Sequence, residues 1–139
     1  KENYEQELII FNLISIDNSH YDMDQLFGFV HSYKSKLIDG YFSFLNNNKE
    51  IFRIANALKP GTFETETQSH AILIVADLND VPDATLTVKL MLDFATQFSE
   101  NFHASICDAN RLPLTKQMIS HIQSTAQEAS RLKRVSDFA

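Results

Sequence analysis

Ala71-Ile72-Leu73-Ile74-Val75-Ala76 is the longest unbroken apolar run in the chain, bounded by Ser69-His70 on one side and Asp77-Leu78-Asn79-Asp80 on the other. It is far shorter than the ~20 residues that a membrane-spanning helix needs. Short, β-branched and bounded by polar residues, it predicts a strand over 69–78. Leu8-Ile9-Ile10-Phe11-Asn12-Leu13-Ile14 has the same character and predicts another. Neither alternates apolar with polar residues, as a strand in an antiparallel sheet covered on one face does. Leu8 and Ile10 lie on one face, Ile9, Phe11 and Leu13 on the other; Leu73 and Val75 oppose Ile72, Ile74 and Ala76 in the same way. Two readings stay open. These are central strands buried on both sides, or one apolar sheet face is turned outward, as at partner sites.

The other elements follow from punctuation and period. Asp22 with Gln25 three residues on is a capping signal. Met23, Leu26, Phe27, Val30 and Tyr33 then recur at helical spacing, with Lys34 and Lys36 at the end that favours cations. Leu37–Leu45 and Glu50–Leu58 are β-like runs separated by Asn46-Asn47-Asn48, which predicts a hairpin. Lys59-Pro60-Gly61-Thr62 is a turn, with Pro60 setting φ and Gly61 supplying a positive one. Asp83 caps a second helix with the stripe Val88, Met91, Leu92, Ala95 and Phe98; a short strand covers Phe102–Cys107. Thr115 caps a third helix with the stripe Met118, Ile119, Ile122, Ala126 and Ala129, closed by Arg131, Lys133 and Arg134. Residues 1–7 are expected to be a frayed tail and 8–139 a single domain. The order β-α-β-β-β-α-β-α with short links predicts an α+β fold: a mostly antiparallel sheet with three helices on one face.

Composition narrows the function. The 139 residues carry eleven Phe and four Tyr, enough for a well-filled core. A net charge of −6 argues against non-specific nucleic-acid binding. One cysteine, Cys107, allows no internal disulfide and suggests a reducing compartment. The absence of an initiator Met suggests a piece of a longer protein. The five histidines fall in different elements at no ligand spacing. Asp17, His20, Asp22 and Asp24 form the only acidic–histidine cluster, but the segment lacks the fixed ligand offsets and turn glycine of a hard-cation loop. It reads better as a solvated loop and helix cap. Cys107 has no specified base and reads as a small core residue. No glycine-rich loop cradles a phosphate. The residues point to no metal, no cofactor and no small-molecule substrate, and to a binding module in preference to an enzyme.

One block is more specific. Ile51-Phe52-Arg53-Ile54-Ala55-Asn56-Ala57-Leu58-Lys59-Pro60-Gly61-Thr62-Phe63, above all its Ala-Asn-x-x-Lys-Pro-Gly-Thr-Phe part, resembles the C-terminal, FtsZ-binding domain of the ZipA family of bacterial cell-division proteins. Lys89-Leu90-Met91-Leu92 after an acidic loop adds to the resemblance. It implies an α+β domain whose sheet carries helices on one side and a shallow apolar groove on the other. The C-terminal tail of FtsZ docks in such a groove, part extended and part helical. It further implies an N-terminal membrane span and linker outside this chain, which tether the division ring to the cytoplasmic face of the inner membrane.

Carried over by position, the resemblance puts Leu8, Ala55, Ala57, Lys59, Leu73 and Val75 in the groove, with Ile54, Leu58, Ile72 and Ile74 facing the helices. Pro60 and Gly61 set the turn. For the strand after Gly40 two registers are open: Tyr41 and Ser43 face outward, or Phe42 and Phe44 do. Exposing two Phe is costly, so Tyr41 and Ser43 are the groove candidates. Better-known members carry bulkier residues, including Met and Phe, at the places of Ala57 and Val75, so the floor here is differently shaped. A second reading is an unrelated α+β domain that homodimerises through the same face; a third is a small metal-assisted enzyme built on His20 and its acidic neighbours.

Overall fold

The computed structural model describes residues 5–64 and 66–138. Chain order runs β1 (Leu8–Ser15), α1 (Met23–His31), β2 (Ser35–Ile38), β3 (Tyr41–Asn46), β4 (Lys49–Asn56), β5 (Ala71–Asp77), α2 (Ala84–Phe102), β6 (Ala104–Cys107) and α3 (Lys116–Phe138). The strands form one sheet in the order β2-β3-β4-β5-β1-β6, every neighbouring pair antiparallel. The α+β architecture expected from the sequence is the one observed.

Aromatic packing sets which face is buried. Phe44 and Phe52 stack at 4.2 Å between ring centroids, and both meet Phe94 of α2. Phe27 of α1 packs edge-on against Phe42. Directly paired residues share a face, so Ile54, Ile74 and Phe11, which lie in one row with Phe42, point the same way. Phe11, Phe42, Phe52, Ile54, Ile72, Ile74, Phe94 and Phe98 are all essentially inaccessible. Tyr21 lies edge-on to Phe98, and its hydroxyl donates to the Leu13 carbonyl at 2.9 Å. Burial raises the pKa of that phenol, so it remains a donor. α3 rests on α2, with Ala126 buried and Thr85 bonded to Ser130.

Three caps read from the sequence are present: Asp22 accepts from Gln25 N, Asp83 from Leu86 N and Thr115 from Met118 N. Some boundaries differ. The run Leu37–Leu45 is two strands, β2 and β3, because Asp39 (φ 52°) and Gly40 (φ 87°) turn the chain between Ile38 and Tyr41. Asn47 and Asn48, both at positive φ, make the next hairpin turn in the same way. α2 runs through Phe102 and ends on His103 in the left-handed conformation, so β6 starts at Ala104. α1 ends at His31, which leaves Lys34 in the connection and Lys36 on β2. α3 continues to Phe138, so Arg131, Lys133 and Arg134 precede its last turn.

The Pro60 turn closes one residue earlier than the sequence suggests. Gly61 N donates to Leu58 O at 2.6 Å, with a cis Lys59–Pro60 bond inside the turn and Gly61 at φ 89°. Asn56 braces it: its Oδ1 accepts from Leu58 N and its Nδ2 donates to Thr62 O. The turn then lies on Gly40, whose carbonyl accepts from Phe63 N at 2.6 Å. A Cβ on Gly40 would meet Thr62 Cβ at 2.7 Å, so glycine serves both the conformation and the fit. Of the expected tail, residues 1–4 lie outside the described residues. Glu5 and Glu7 bond to the chain at Asp77–Asn79.

Phe94→Ala is expected to lower unfolding stability by ~3–5 kcal/mol, because the ring touches both sheet and helices and leaves a cavity. Leu112→Ala, at a 59% exposed side chain, is expected to change it by less than ~0.5 kcal/mol. Chemical denaturation of the two variants checks the contrast.

Candidate functional site

Among the described residues no helix packs across the opposite sheet face at β4 and β5; the start of α3, with Gln117, Met118, His121 and Ile122, borders its β1 edge beside Leu8 and Ile10. By register, Ile10, Val75 and Arg53 form one row across it, and Asn12, Leu73 and Ala55 form the next. Leu8 opposes Asp77 at one end of β1. Leu8 is 47% exposed, and Ile10, Ala55, Leu73 and Val75 are half-buried, so an apolar floor spans β4, β5 and β1. It arises because these strands are apolar at both parities while the helices cover only one. At the Leu8 end the floor dips into a cavity of about 300 Å³ between Leu8, Val75 and Arg53.

The predicted residues fall into three groups. Leu8, Ala55, Leu73 and Val75 come together on the floor. Ala57 follows with the same parity, held by its N–H donating to Ala71 O at 3.0 Å. Tyr41 and Ser43 project from this face and Phe42 and Phe44 from the core face, as their pairing with β4 requires. Tyr41 is half-buried beside the floor, but Ser43 is only 1% exposed. Lys59 stands exposed in the turn, beyond the last paired residue of β4. Pro60 and Gly61 are exposed in the same turn.

Ser43 is covered by a polar cluster that the sequence reading missed. Its hydroxyl donates to Glu50 Oε1 at 2.7 Å. Glu50 Oε2 accepts from Arg53 Nε at 2.7 Å, and the Arg53 guanidinium carbon lies 4.3 Å from the Tyr41 ring centroid. The Glu50 hydrogen bond raises the guanidinium pKa further. The available signal was parity: Arg53 shares it with Ala55 and Ala57, so it had to rise from the groove side of β4. The far wall is the segment after β6. Asn12 Nδ2 donates to Asp108 O at 2.9 Å, and the Asp108 carboxylate holds its own turn through Asn110 N and Leu112 N.

The acidic–histidine cluster does other work. Asp17 Oδ1 accepts from the Ser19 hydroxyl, the Ser19 N–H and the Ser15 hydroxyl, and these bonds lower its pKa to about 2. Asp22 caps α1. Among the described residues no group of three or more His, Cys, Asp or Glu side chains is placed to hold a metal ion. The open face therefore offers apolar contact and one fixed guanidinium.

Comparison with known proteins gives a consistent picture. Residues 7–125 match the family model described as ZipA, C-terminal FtsZ-binding domain. The chain is similar to the cell division protein ZipA of Shewanella amazonensis, 35% identical over 69 residues, covering 47% of this chain and 20% of that protein. It is similar to that of Shewanella baltica, 34% identical over 82 residues, covering 54% of this chain and 23% of that protein. With that of Colwellia psychrerythraea it is 28% identical over 91 residues, covering 63% of this chain and 24% of that protein. The chain thus spans about a quarter or less of the relatives' length. The family is defined by a protein it binds and not by a reaction, which agrees with the reading as a binding module. Among the described residues no helix is long and apolar enough to cross a membrane.

Glu50→Ala is expected to cost ~1–2 kcal/mol of stability, because the buried Ser43 hydroxyl loses its acceptor. Ser43→Ala combined with it should cost less than the sum of the two, a coupling that a double-mutant cycle in denaturant reads directly. A proton NMR titration should place Asp17 near pH 2. Since that value is depressed, its stabilising contribution is complete above the ordinary carboxylate range and is lost as pH falls through about 2. Ser19→Ala should move the midpoint upward.

Proposed function

The chain belongs to the ZipA C-terminal FtsZ-binding domain family, and on that premise we propose that its open sheet face binds the C-terminal tail of FtsZ. The observation that carries the reading is the apolar floor of Leu8, Ala55, Leu73 and Val75, continued by Ala57, on the sheet face that no helix crosses among the described residues. Tyr41 and the Arg53–Glu50 pair border the floor; Lys59 marks its far end. Ser43 contributes from beneath, by holding Glu50 in place.

The energetics fit a weak, repeated contact. Each apolar side chain of the tail that becomes fully buried contributes ~1.5–3 kcal/mol. Ordering a flexible tail and losing its free motion offset much of that. Two or three anchors therefore give a Kd in the micromolar range. Many tails presented by one polymer make such affinity sufficient through avidity. In the whole protein, the domain would link the division ring to the cytoplasmic face of the inner membrane through an N-terminal span and linker outside this chain. The domain itself makes no membrane contact in this scheme, and binds no nucleic acid and no cofactor.

A fluorescent peptide copying the last ~15–20 residues of FtsZ, one extended-plus-helical docking segment, is expected to titrate saturably against the domain. Leu73→Asp or Val75→Asp should abolish the signal and leave the far-ultraviolet circular dichroism unchanged. An unaltered chain that does not bind at high micromolar concentration, and instead shows concentration-dependent mass in the ultracentrifuge, would replace this reading with dimerisation through the same face.

A further inference from the structure

Arg53 is out of place on an apolar floor. Its Cα pairs with Val75, so its side chain rises between Val75 on one side and Ser43 on the other. The side chain is 51% exposed, yet its orientation is fixed from two directions. Nε is held by Glu50 Oε2, and the guanidinium lies over the Tyr41 ring. Glu50 is itself fixed, because its other oxygen accepts from the nearly inaccessible Ser43. The anchor of the guanidinium thus reaches down to a buried hydroxyl. Among the described residues no acceptor is bonded to the two Nη nitrogens of Arg53, and Arg53 is one of the residues that line the Leu8–Val75 cavity.

A guanidinium held at Nε keeps a pair of outward N–H donors whose spacing matches the two oxygens of a carboxylate. The pair with Glu50 is exposed and contributes little by itself. When an apolar segment covers the floor, water leaves these donors. Leaving them unsatisfied is then costly, and a charge-assisted bond to them is strengthened. One carbonyl oxygen would satisfy one donor; a carboxylate satisfies both.

We infer that Arg53 receives a side-chain carboxylate of the bound FtsZ tail and so fixes the register in which the tail lies on the floor. This rests on the groove reading above and adds a chemical requirement to it: an Asp or Glu of the tail next to one of its apolar anchors. Val75 is one strand away from Arg53, roughly 5 Å. The acidic residue therefore lies within two or three positions of the anchor that contacts Val75.

The test is an amide scan. FtsZ tail peptides in which each Asp is changed to Asn, or each Glu to Gln, one at a time, are titrated against the unaltered chain and against Arg53→Gln. One amide peptide is expected to bind the unaltered chain about tenfold more weakly, the size of a single charge-assisted hydrogen bond. Arg53→Gln should bind the original peptide about tenfold more weakly and show no further loss with that amide peptide. Arg53→Lys should fall between, since an ammonium lacks the fork. Equal binding of every amide peptide to the unaltered chain would overturn the inference and leave the groove reading standing. Absence of binding by the unaltered chain to any peptide would overturn both. Where Arg53→Gln disturbs the fold, equal binding in the scan on the unaltered chain still overturns the inference, and Arg53→Lys titrated with the same amide peptide, against Lys59→Gln as the comparison, assigns the carboxylate to Arg53.

Discussion

The layer of rings between sheet and helices is the constraint on which the rest of the structure depends. Phe94 meets Phe44 and Phe52 at once, and Phe27 closes on Phe42. Because a strand turns successive side chains to opposite faces, seating these rings commits every other position of β3 up to Phe44 and of β4 from Phe52 on, past the bulge at Ile51, and through pairing those of β5 and β1. A slip of one residue would bring Arg53 and Ser43 against α2 and expose Phe42, Phe52 and Ile54. The steric and solvation cost of that arrangement pins the register more firmly than the ladder hydrogen bonds do. The outward set is thus a consequence of the inward one: Ile10, Leu73, Val75 and Ala55 face away because Phe11, Ile74 and Ile54 must not.

An apolar sheet face left open is a solubility problem, and this chain manages it by dilution. Ala55 and Ala57 are small, so the floor has little height near β4. Arg53 and Glu50 stand over the β3–β4 side, and Asp77 and Asp80 lie at the end of the cavity beneath Leu8. The Asp108 turn closes the other flank. What remains accessible is a strip and not a sheet. That geometry suits a single extended segment, whose side chains along one face can meet the floor while its other face stays in water.

Much of this was legible in residue order alone. Apolar residues at both parities in β1 and β5 left two readings open, burial on both sides or an uncovered face, and only the resemblance chose between them; the preference for Phe42 and Phe44 as core followed from the cost of exposing two rings. The three helix caps were visible as single residues ahead of an apolar stripe. What was less visible has physical reasons. Asp39-Gly40 is a strong turn dipeptide, yet it lies inside an aromatic-rich run that hides it, so β2 merged with β3. The Pro60 turn is positioned by the Asn56 side chain, a contact that propensity does not report. The end of α2 depends on His103 adopting a left-handed conformation that histidine takes less readily than glycine. The cluster of Ser43, Glu50 and Arg53 was hidden differently. Each of these residues is unremarkable in order along the chain; only the bulge between Phe44 and Leu45 and the pairing of Ser43 with Arg53 bring the three together.

The place of β1 in the sheet bears on mechanical load. Residues preceding Leu8 join the fold at this strand, first through the bonds of Glu5 and Glu7 to the Asp77–Asn79 segment. β1 is flanked by β5 over Leu8–Ile14 and by β6 over Asn12–Ser15. Ladder bonds lie across the strand direction. A pull along β1 would therefore load many of them together in shear instead of peeling them one by one, and the unfolding rate governs such an event. Since Leu8, Ile10 and their β5 partners Asp77 and Val75 form part of the floor and its end, the strand that would carry the strain is also one that shapes the groove.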